Sequence, residues 1–281
     1  MKYFKPITPP TEFNLDEHYY ADKEYTTNSL LTRFSEKTPA HFKYSLTQPQ
    51  KKTAAMDFGT KFHLFCLESD VFDKRYSLYD ETARPEPNKT FNSTLNKAWK
   101  KEYKEALAST GKEMLEPWEF HSVTNMNKSM LSVDKVKELL DFNAGKVEQV
   151  FAGEHLESGL LCKGKVDYID ANRGILVDLK TTQDASKRGF ERTVIKHKYH
   201  KQAAFYLDLT GMETFYIIAV EKEAPHMVNI FEFSDDLIAE GRELYRRELE
   251  LMAYCKSSDD WFGYLKSKDQ ESNLLTSNIL L

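Results

Sequence analysis

The spacing of hydrophobic positions along the chain changes near residue 146, from a helical period to a strand period. Before that point the clearest helix covers residues 54–68, where phenylalanines recur at intervals of four and three and form one stripe, Phe58, Phe62 and Phe65. After it, the pattern predicts three consecutive strands, with turn residues between the second and the third. These strands cover residues 146–151, 161–169 and 175–181.

Helices and strands continue to alternate toward the C-terminus. The pattern predicts a helix over residues 198–209, strands at 215–221 and 228–233, and a long helix that begins at a Ser234 cap and ends near Cys255. Near the N-terminus, Thr27 and Thr38-Pro39 are typical starts of two short helices. The order of these elements predicts a mixed α/β protein.

The chain divides by composition into a main domain and two terminal segments. Residues 1–24 are polar and proline-punctuated, and an extended segment is expected there. Residues 25–265 are expected to form a single domain, in which residues 70–145 form a largely helical insertion without evident chemistry. Residues 266–281 are expected to be a C-terminal tail.

Composition limits the possible functions. Hydrophobic residues make up 41% of the 281 residues and charged residues 30%, which is the balance of a globular protein. The formal net charge is −5, so a nucleic-acid binder with this sequence needs its lysines gathered in a groove.

The cysteines and the N-terminal residues bear on the cellular location that is expected for the protein. Cys66, Cys162 and Cys255 are far apart and in apolar surroundings, so they are expected to be buried free thiols and not zinc ligands. No signal peptide and no membrane-length apolar run is present in the sequence. A cytoplasmic location, in a bacterium or a phage-infected bacterium, is expected.

The candidate chemistry lies on the second and third of the three strands. Asp167 ends the stretch Lys163-Gly164-Lys165-Val166-Asp167, and Asp178-Leu179-Lys180 follows eleven residues later. Carboxylate oxygens are the ligands that Mg²⁺ prefers. Lys180 is two residues beyond Asp178, so both side chains project from the same face of the strand.

A purely structural alternative exists for this motif. Asp178 with Lys165, or Asp167 with Lys180, would form a salt bridge without any catalytic role. However, Asp178 interrupts an apolar and apparently central strand, where a charge requires a metal, a partner or water.

Other candidates flank the motif. His63 on the 54–68 helix is either a core or surface histidine or a metal ligand better suited to Mn²⁺. Glu148 is either a surface glutamate of an edge strand or a further acidic contributor to the site.

The predicted helix after these strands also carries candidates. It places Tyr199, Gln202 and Tyr206 on one stripe, which is either core or a contact to the site. The nearby Lys198 and Lys201, with Lys163 and Lys165 on the second strand, are candidate DNA contacts.

Taken together, these pieces resemble the RecE-type (exodeoxyribonuclease VIII) branch of the PD-(D/E)xK nucleases, which also include the lambda-type exonucleases and the RecB nuclease domain. The likeness spans about residues 25–255. The motifs that carry it are Ser29-Leu30-Leu31 with Pro39-Ala40-His41-Phe42, Gly59-Thr60-Lys61-Phe62-His63, Lys163-Gly164-Lys165-Val166-Asp167, Val177-Asp178-Leu179-Lys180-Thr181-Thr182, and Tyr199-His200-Lys201-Gln202-Ala203-Ala204-Phe205-Tyr206.

The resemblance implies a restriction-endonuclease-like core, with a central mixed sheet flanked by helices and helical additions at the N-terminus. It also implies a role for each matching residue. His63, Asp167, Asp178 and the Leu179 carbonyl would hold Mg²⁺, for which Mn²⁺ would substitute. Asp167, Asp178, Lys180 and Gln202 would be catalytic, with Glu148 and Tyr206 as possible additions. One departure is that Asp178 stands where many superfamily members have a glutamate.

The function implied is a Mg²⁺-dependent exonuclease that degrades linear double-stranded DNA from its 5′ ends. The resemblance further implies a ring-shaped homo-oligomer and a RecT-like single-strand annealing protein as partner in phage-type recombination. Two alternatives stay open: an endonuclease on the same core, and a catalytically silent module that binds DNA or protein.

Overall fold

The structure, a computed structural model, describes residues 3–49, 53–79, 81–89 and 92–264. Its strands are β1 (Phe4–Ile7), β2 (Tyr76–Leu78), β3 (Glu113–Leu115), β4 (Lys146–His155), β5 (Leu161–Asp170), β6 (Ile175–Thr182), β7 (Thr214–Glu221) and β8 (Val228–Glu232). Its helices are α1 (Asp16–Ala21), α2 (Asn28–Phe34), α3 (Pro39–Ser45), α4 (Ala54–Leu67), α5 (Ser69–Arg75), α6 (Thr94–Ser109), α7 (Pro117–Leu131), α8 (Asp134–Leu139), α9 (Lys187–His197), α10 (Tyr199–Thr210) and α11 (Asp235–Ser258).

Six strands form one mixed sheet in the order β1-β4-β5-β6-β7-β8. All neighbours are antiparallel except β6 and β7, which are parallel. A parallel pair requires a crossover connection, and α9 and α10 provide it. The mixed α/β class and the central sheet flanked by helices, both expected from the sequence, are confirmed.

Each face of the sheet supports its own core. One core gathers buried residues of α2, α3, α9, α10 and α11, and the other gathers those of α4, α5, α7 and α8. On β6, Leu176 belongs to the first core, and Val177 and Leu179 to the second. This alternation places Asp178 on the face that α10 covers.

The helices begin where the sequence indicates. The side chains of Thr27, Thr38 and Ser234 each accept a hydrogen bond from the first turn of α2, α3 and α11. Such caps satisfy backbone N–H groups that would otherwise have no partner. Helix α9 and the short β2–β3 sheet are not predicted by the sequence pattern.

The N-terminal segment is not simply extended, which corrects the expectation for residues 1–24. Strand β1 pairs with β4 at the edge of the sheet, and a 3₁₀ turn (Thr11–Asn14) and α1 follow. These elements are too short to show a period in sequence and are held by tertiary contacts. The segment thereby covers β5, and Lys163 lies buried beneath it.

The described residues between 70 and 145 include helices α6, α7 and α8 and strands β2 and β3, and they complete the second core. Val123, Met126 and Met130 of α7 are buried there. Of the three free cysteines, Cys162 and Cys255 are buried and Cys66 is half-buried. The expected tail at residues 266–281 lies outside the described residues. Within the described part of the chain, no helix is both long and apolar enough to span a membrane.

Candidate active site

Strands β5 and β6 separate at the two candidate aspartates. Their pairing runs from Asp170 opposite Ile175 to Tyr168 opposite Val177. Beyond that point the backbone N–H of Leu179 donates to Oδ2 of Asp167 at 2.8 Å. A cleft of about 750 Å³ opens here, lined by residues of α1, α4, β4, β5, β6 and α10.

His63 reaches this opening from α4. The helix is fixed by the fully buried Phe62 and by a Thr53 side-chain cap. Nδ1 of His63 lies 3.3 Å from Oδ2 of Asp167, and Nε2 lies 2.6 Å from the Leu179 carbonyl oxygen. Burial alone would lower the pKa of His63, but the Asp167 carboxylate outweighs it and raises that pKa to about 9. His63 is therefore an imidazolium that contacts both oxygen groups.

Glu148 approaches the same point from β4. The register pairs Val147 with Tyr168 and Gln149 with Val166, so Glu148 stands opposite Asp167. Its φ of 51° is unusual for a residue other than glycine. Burial first, and the Asp167 charge second, raise the pKa of Glu148 to about 7.

Asp178 faces away from the group formed by His63, Glu148 and Asp167, toward α10. Its carboxylate is 2% exposed, and Oδ1 accepts a hydrogen bond from Nε2 of Gln202 at 2.8 Å. Nζ of Lys180 forms an ion pair with Oδ2 at 2.6 Å. Burial raises the pKa of Asp178 to about 6.

Lys180 remains an ammonium in this setting. Burial lowers its pKa, but the carboxylates of Asp178 and Asp167 more than compensate and raise it above its ordinary value. Its Nζ lies 5.0 Å from the centre of the Tyr199 ring. The salt bridges considered from the sequence were Asp178 with Lys165 and Asp167 with Lys180. In the structure Asp178 pairs with Lys180 instead, and Lys165 pairs with Glu148 and Asp16.

The donor set fits a divalent cation. Ligand atoms of His63, Glu148 and Asp167 lie within 4.8 Å of one another, and the Leu179 carbonyl adjoins them. Two carboxylates suit Mg²⁺, and the imidazole also suits Mn²⁺. Of the predicted metal set of His63, Asp167, Asp178 and Leu179, the structure brings His63, Asp167 and Leu179 together with Glu148, whereas Asp178 faces Gln202 of α10. Tyr206 also lines the cleft.

Two of the four lysines predicted to contact DNA are buried, which corrects that prediction. Lys163 donates to the Tyr19 carbonyl and pairs with Asp22, because the N-terminal segment covers β5. Lys201 is fully buried against Glu248, since it lies on the face of α10 that packs on α11.

The other two predicted DNA contacts are engaged within the protein. Lys198 binds Ser35 and Glu248. Lys165 lines the cleft but pairs with Glu148.

Several cleft residues have no signal in the sequence. Asp16 and Tyr20 line the cleft from the N-terminal segment, and Lys222 also lines it. They come from elements that are distant along the chain, and no motif connects them to the two aspartates.

Comparison with solved structures finds one clear match in fold and weaker likenesses to others. A putative exonuclease from Eubacterium rectale is 16% identical, with 90% of this chain and 88% of that chain covered and a TM-score of 0.57. An alkaline exonuclease from Laribacter hongkongensis is 15% identical over 87% and 98% of the two chains, with a TM-score of 0.38. A phage-related exonuclease from Haemophilus somnus 129PT is 14% identical over 69% and 96%, with a TM-score of 0.33. The first of these shows a shared fold.

The family assignment follows from the sequence as a whole. No curated protein matches the chain. A PDDEXK-like domain of unknown function, DUF3799, matches residues 27–267, which is most of the chain. The resemblance to the PD-(D/E)xK nucleases is thereby confirmed. The chain belongs to the DUF3799 family of PDDEXK-like domains.

Proposed function

We propose that this protein is a Mg²⁺-dependent exonuclease that degrades linear double-stranded DNA in the 5′-to-3′ direction and leaves 3′ single strands for phage-type recombination. The observation that carries the proposal is the cleft in which three metal-ligand side chains, His63, Glu148 and Asp167, meet beside the Asp178–Lys180 pair. The PDDEXK-like family and the fold shared with a putative exonuclease support a DNA nuclease.

Each residue has a distinct role in this proposal. Asp167, Glu148, His63 and the Leu179 carbonyl would hold the metal, with Asp178 beside them. When bound, Mg²⁺ supplies Lewis-acid stabilisation of charge on the scissile phosphate. Lys180, as a buried ammonium, orients the attacking water and stabilises developing negative charge. Gln202 fixes the Asp178 carboxylate by its hydrogen bond to Oδ1.

His63 lies between two of the oxygen groups that would hold the cation, the Asp167 carboxylate and the Leu179 carbonyl. To serve as a ligand itself, the ring would have to give up the proton that the Asp167 carboxylate stabilises, because imidazole binds a metal in its neutral form. Metal binding at this point would therefore be coupled to proton release.

The test is digestion of end-labelled linear duplex and closed circular DNA with Mg²⁺. Wild-type protein is compared with Asp178→Ala and Lys180→Ala, and the exposed Asp73→Ala on α5 serves as control. Progressive loss from 5′ ends, intact circles, and a loss of about 100-fold or more in both site variants are expected. Loss from 3′ ends would contradict the polarity.

The same digestion separates the alternatives. Cleavage of closed circles would indicate an endonuclease on the same core. A wild-type protein as inert as Asp178→Ala, but still able to bind DNA, would indicate a silent module.

The proposed assembly and partner rest on the RecE-type resemblance. A ring around DNA predicts an oligomer in solution, and light scattering that finds a strict monomer would contradict it. A RecT-like annealing protein predicts co-purification, or a shift in mass when the two proteins are mixed.

A further inference from the structure

Helix α9 presents a row of exposed cationic side chains. Arg188, Arg192 and Lys196 follow one another at intervals of four residues, so they lie on one face, about 6 Å apart along the helix axis. In the part of the chain that the structure describes, none of the three forms an ion pair with a carboxylate.

This row differs from the other lysines near the site. Lys163, Lys165 and Lys201 are each paired with a carboxylate inside the protein. Like charges at intervals of four repel one another along a helix. Asp184 is near enough for the Arg192 charge to contribute, after the hydrogen bonds from Ser186, to the lowered pKa of Asp184. In a protein with a net charge of −5, a row of three exposed cations with one such carboxylate nearby indicates an anionic partner.

The row borders a groove that continues from the active-site cleft. The groove has a volume of about 520 Å³, and Arg192 and Lys196 form one wall of it. Thr181, Tyr199 and Lys222 line both the groove and the cleft, so the two are continuous.

The charge of the groove is positive. Among the described residues that line the groove, Asp184 carries a negative charge, whereas Arg192, Lys196 and Lys222 carry positive charges. Oδ1 of Asp184 accepts a hydrogen bond from the backbone N–H of Ser186 at 2.8 Å.

The groove also leads to Lys180. Tyr199 lies where groove and cleft meet, and Nζ of Lys180 lies over its ring at 5.0 Å. Burial, and then the positive charges of Lys196 and Lys180, lower the pKa of the adjacent His197, as expected in a region of positive potential.

We propose that the α9 row, with Arg192 and Lys196 at its centre, binds successive phosphates of the DNA strand that runs from the scissile phosphate along this groove. The proposal rests on the proposed nuclease function, and it places the DNA contact on α9 in place of the buried Lys163 and Lys201. Arginine is suited to this role because its guanidinium binds phosphate through two parallel hydrogen bonds.

The experiment compares the double variant Arg192→Gln/Lys196→Gln with a matched control, Arg247→Gln/Lys256→Gln. The control removes two exposed cations from α11, which packs on α10 away from the cleft. Binding of a short fluorescent duplex with a single-stranded end is measured over a series of salt concentrations, with Ca²⁺ in place of Mg²⁺ to prevent cleavage. Circular dichroism melting checks that both variants are folded.

For the α9 variant, the slope of log affinity against log salt concentration is expected to fall by about 2, since each phosphate contact contributes about 1. The control slope is expected to stay at the wild-type value. Hydrolysis of bis(p-nitrophenyl) phosphate, which occupies only the active site, is expected to be unchanged. An unchanged α9 slope, an equal loss in the control, or a wild type that binds no DNA would overturn the proposal.

The two proposals fail separately. If wild-type protein cleaves DNA but the salt slope of the α9 variant is unchanged, the nuclease proposal is supported and the proposed phosphate contact of the α9 row is wrong. If wild-type protein cleaves nothing, but the α9 variant alone loses salt-dependent binding, the α9 row binds DNA and the nuclease proposal is wrong.

Discussion

Nε2 of Gln202 donates a hydrogen bond to Oδ1 of Asp178 at 2.8 Å, which joins α10 to the buried carboxylate of β6. The bond holds one oxygen of Asp178, and Nζ of Lys180 lies 2.6 Å from the other. In the proposed nuclease, Gln202 therefore acts through Asp178 as a positioning residue.

Replacement of Gln202 by alanine is expected to lower nuclease activity by about 10- to 100-fold, because groups that orient a metal-site residue commonly have effects of this size. Thermal unfolding should change little. The exposed Gln48→Ala, outside the cleft and the groove, is the control. Wild-type activity in Gln202→Ala would show that the bond has no part in catalysis.

Lys180→Met is expected to reduce metal affinity at pH 6 more than at pH 8. Burial already raises the pKa of Asp178 to about 6, and the Lys180 charge opposes that rise. Without the ammonium, the pKa of Asp178 rises further, so more of the carboxyl is protonated at pH 6. Titration with Mn²⁺ at the two pH values measures the difference, and an equal loss at both would contradict it.

Metal affinity of the wild-type protein is expected to increase between pH 6 and pH 9. Glu148, with a pKa raised to about 7, and His63, with a pKa raised to about 9, hold protons that a cation must displace. Protonated forms dominate below each value, so competition weakens as the pH rises. Calorimetry in buffers with different ionisation enthalpies should detect proton release. A pH-independent affinity without proton release would refute this.

Lys201→Met is expected to destabilise the fold by about 3 kcal/mol, because it leaves the Glu248 carboxylate buried without its closest partner. The double variant Lys201→Met/Glu248→Leu should recover much of that loss. Urea unfolding measures the free energy of unfolding for both. The salt dependence of DNA binding should not change in the double variant, since Lys201 is inaccessible. A lower slope would restore Lys201 as a DNA contact.

Much of the fold can be predicted from the sequence because its elements carry local signals. Caps at Thr27, Thr38 and Ser234 fix helix starts, and the alternation in β5 and β6 fixes two central strands. Strand β1 and helix α1 carry no such signal, because short elements depend on contacts made elsewhere in the chain. The consequence was a wrong expectation for residues 1–24 and for Lys163.

The sequence by itself determined which residues are candidates for metal and phosphate chemistry, since Asp167, Asp178 and Lys180 lie within fourteen residues on two adjacent strands. Only the tertiary structure decided which partners surround each of these residues. It sets His63 and Glu148 against Asp167 on one side, and Gln202 and Lys180 against Asp178 on the other. The physical reason is that strand alternation fixes the face of a side chain, whereas burial and partners come from whichever helix or segment covers that face. The same coverage buried Lys163 and Lys201 and left the cations of α9 exposed.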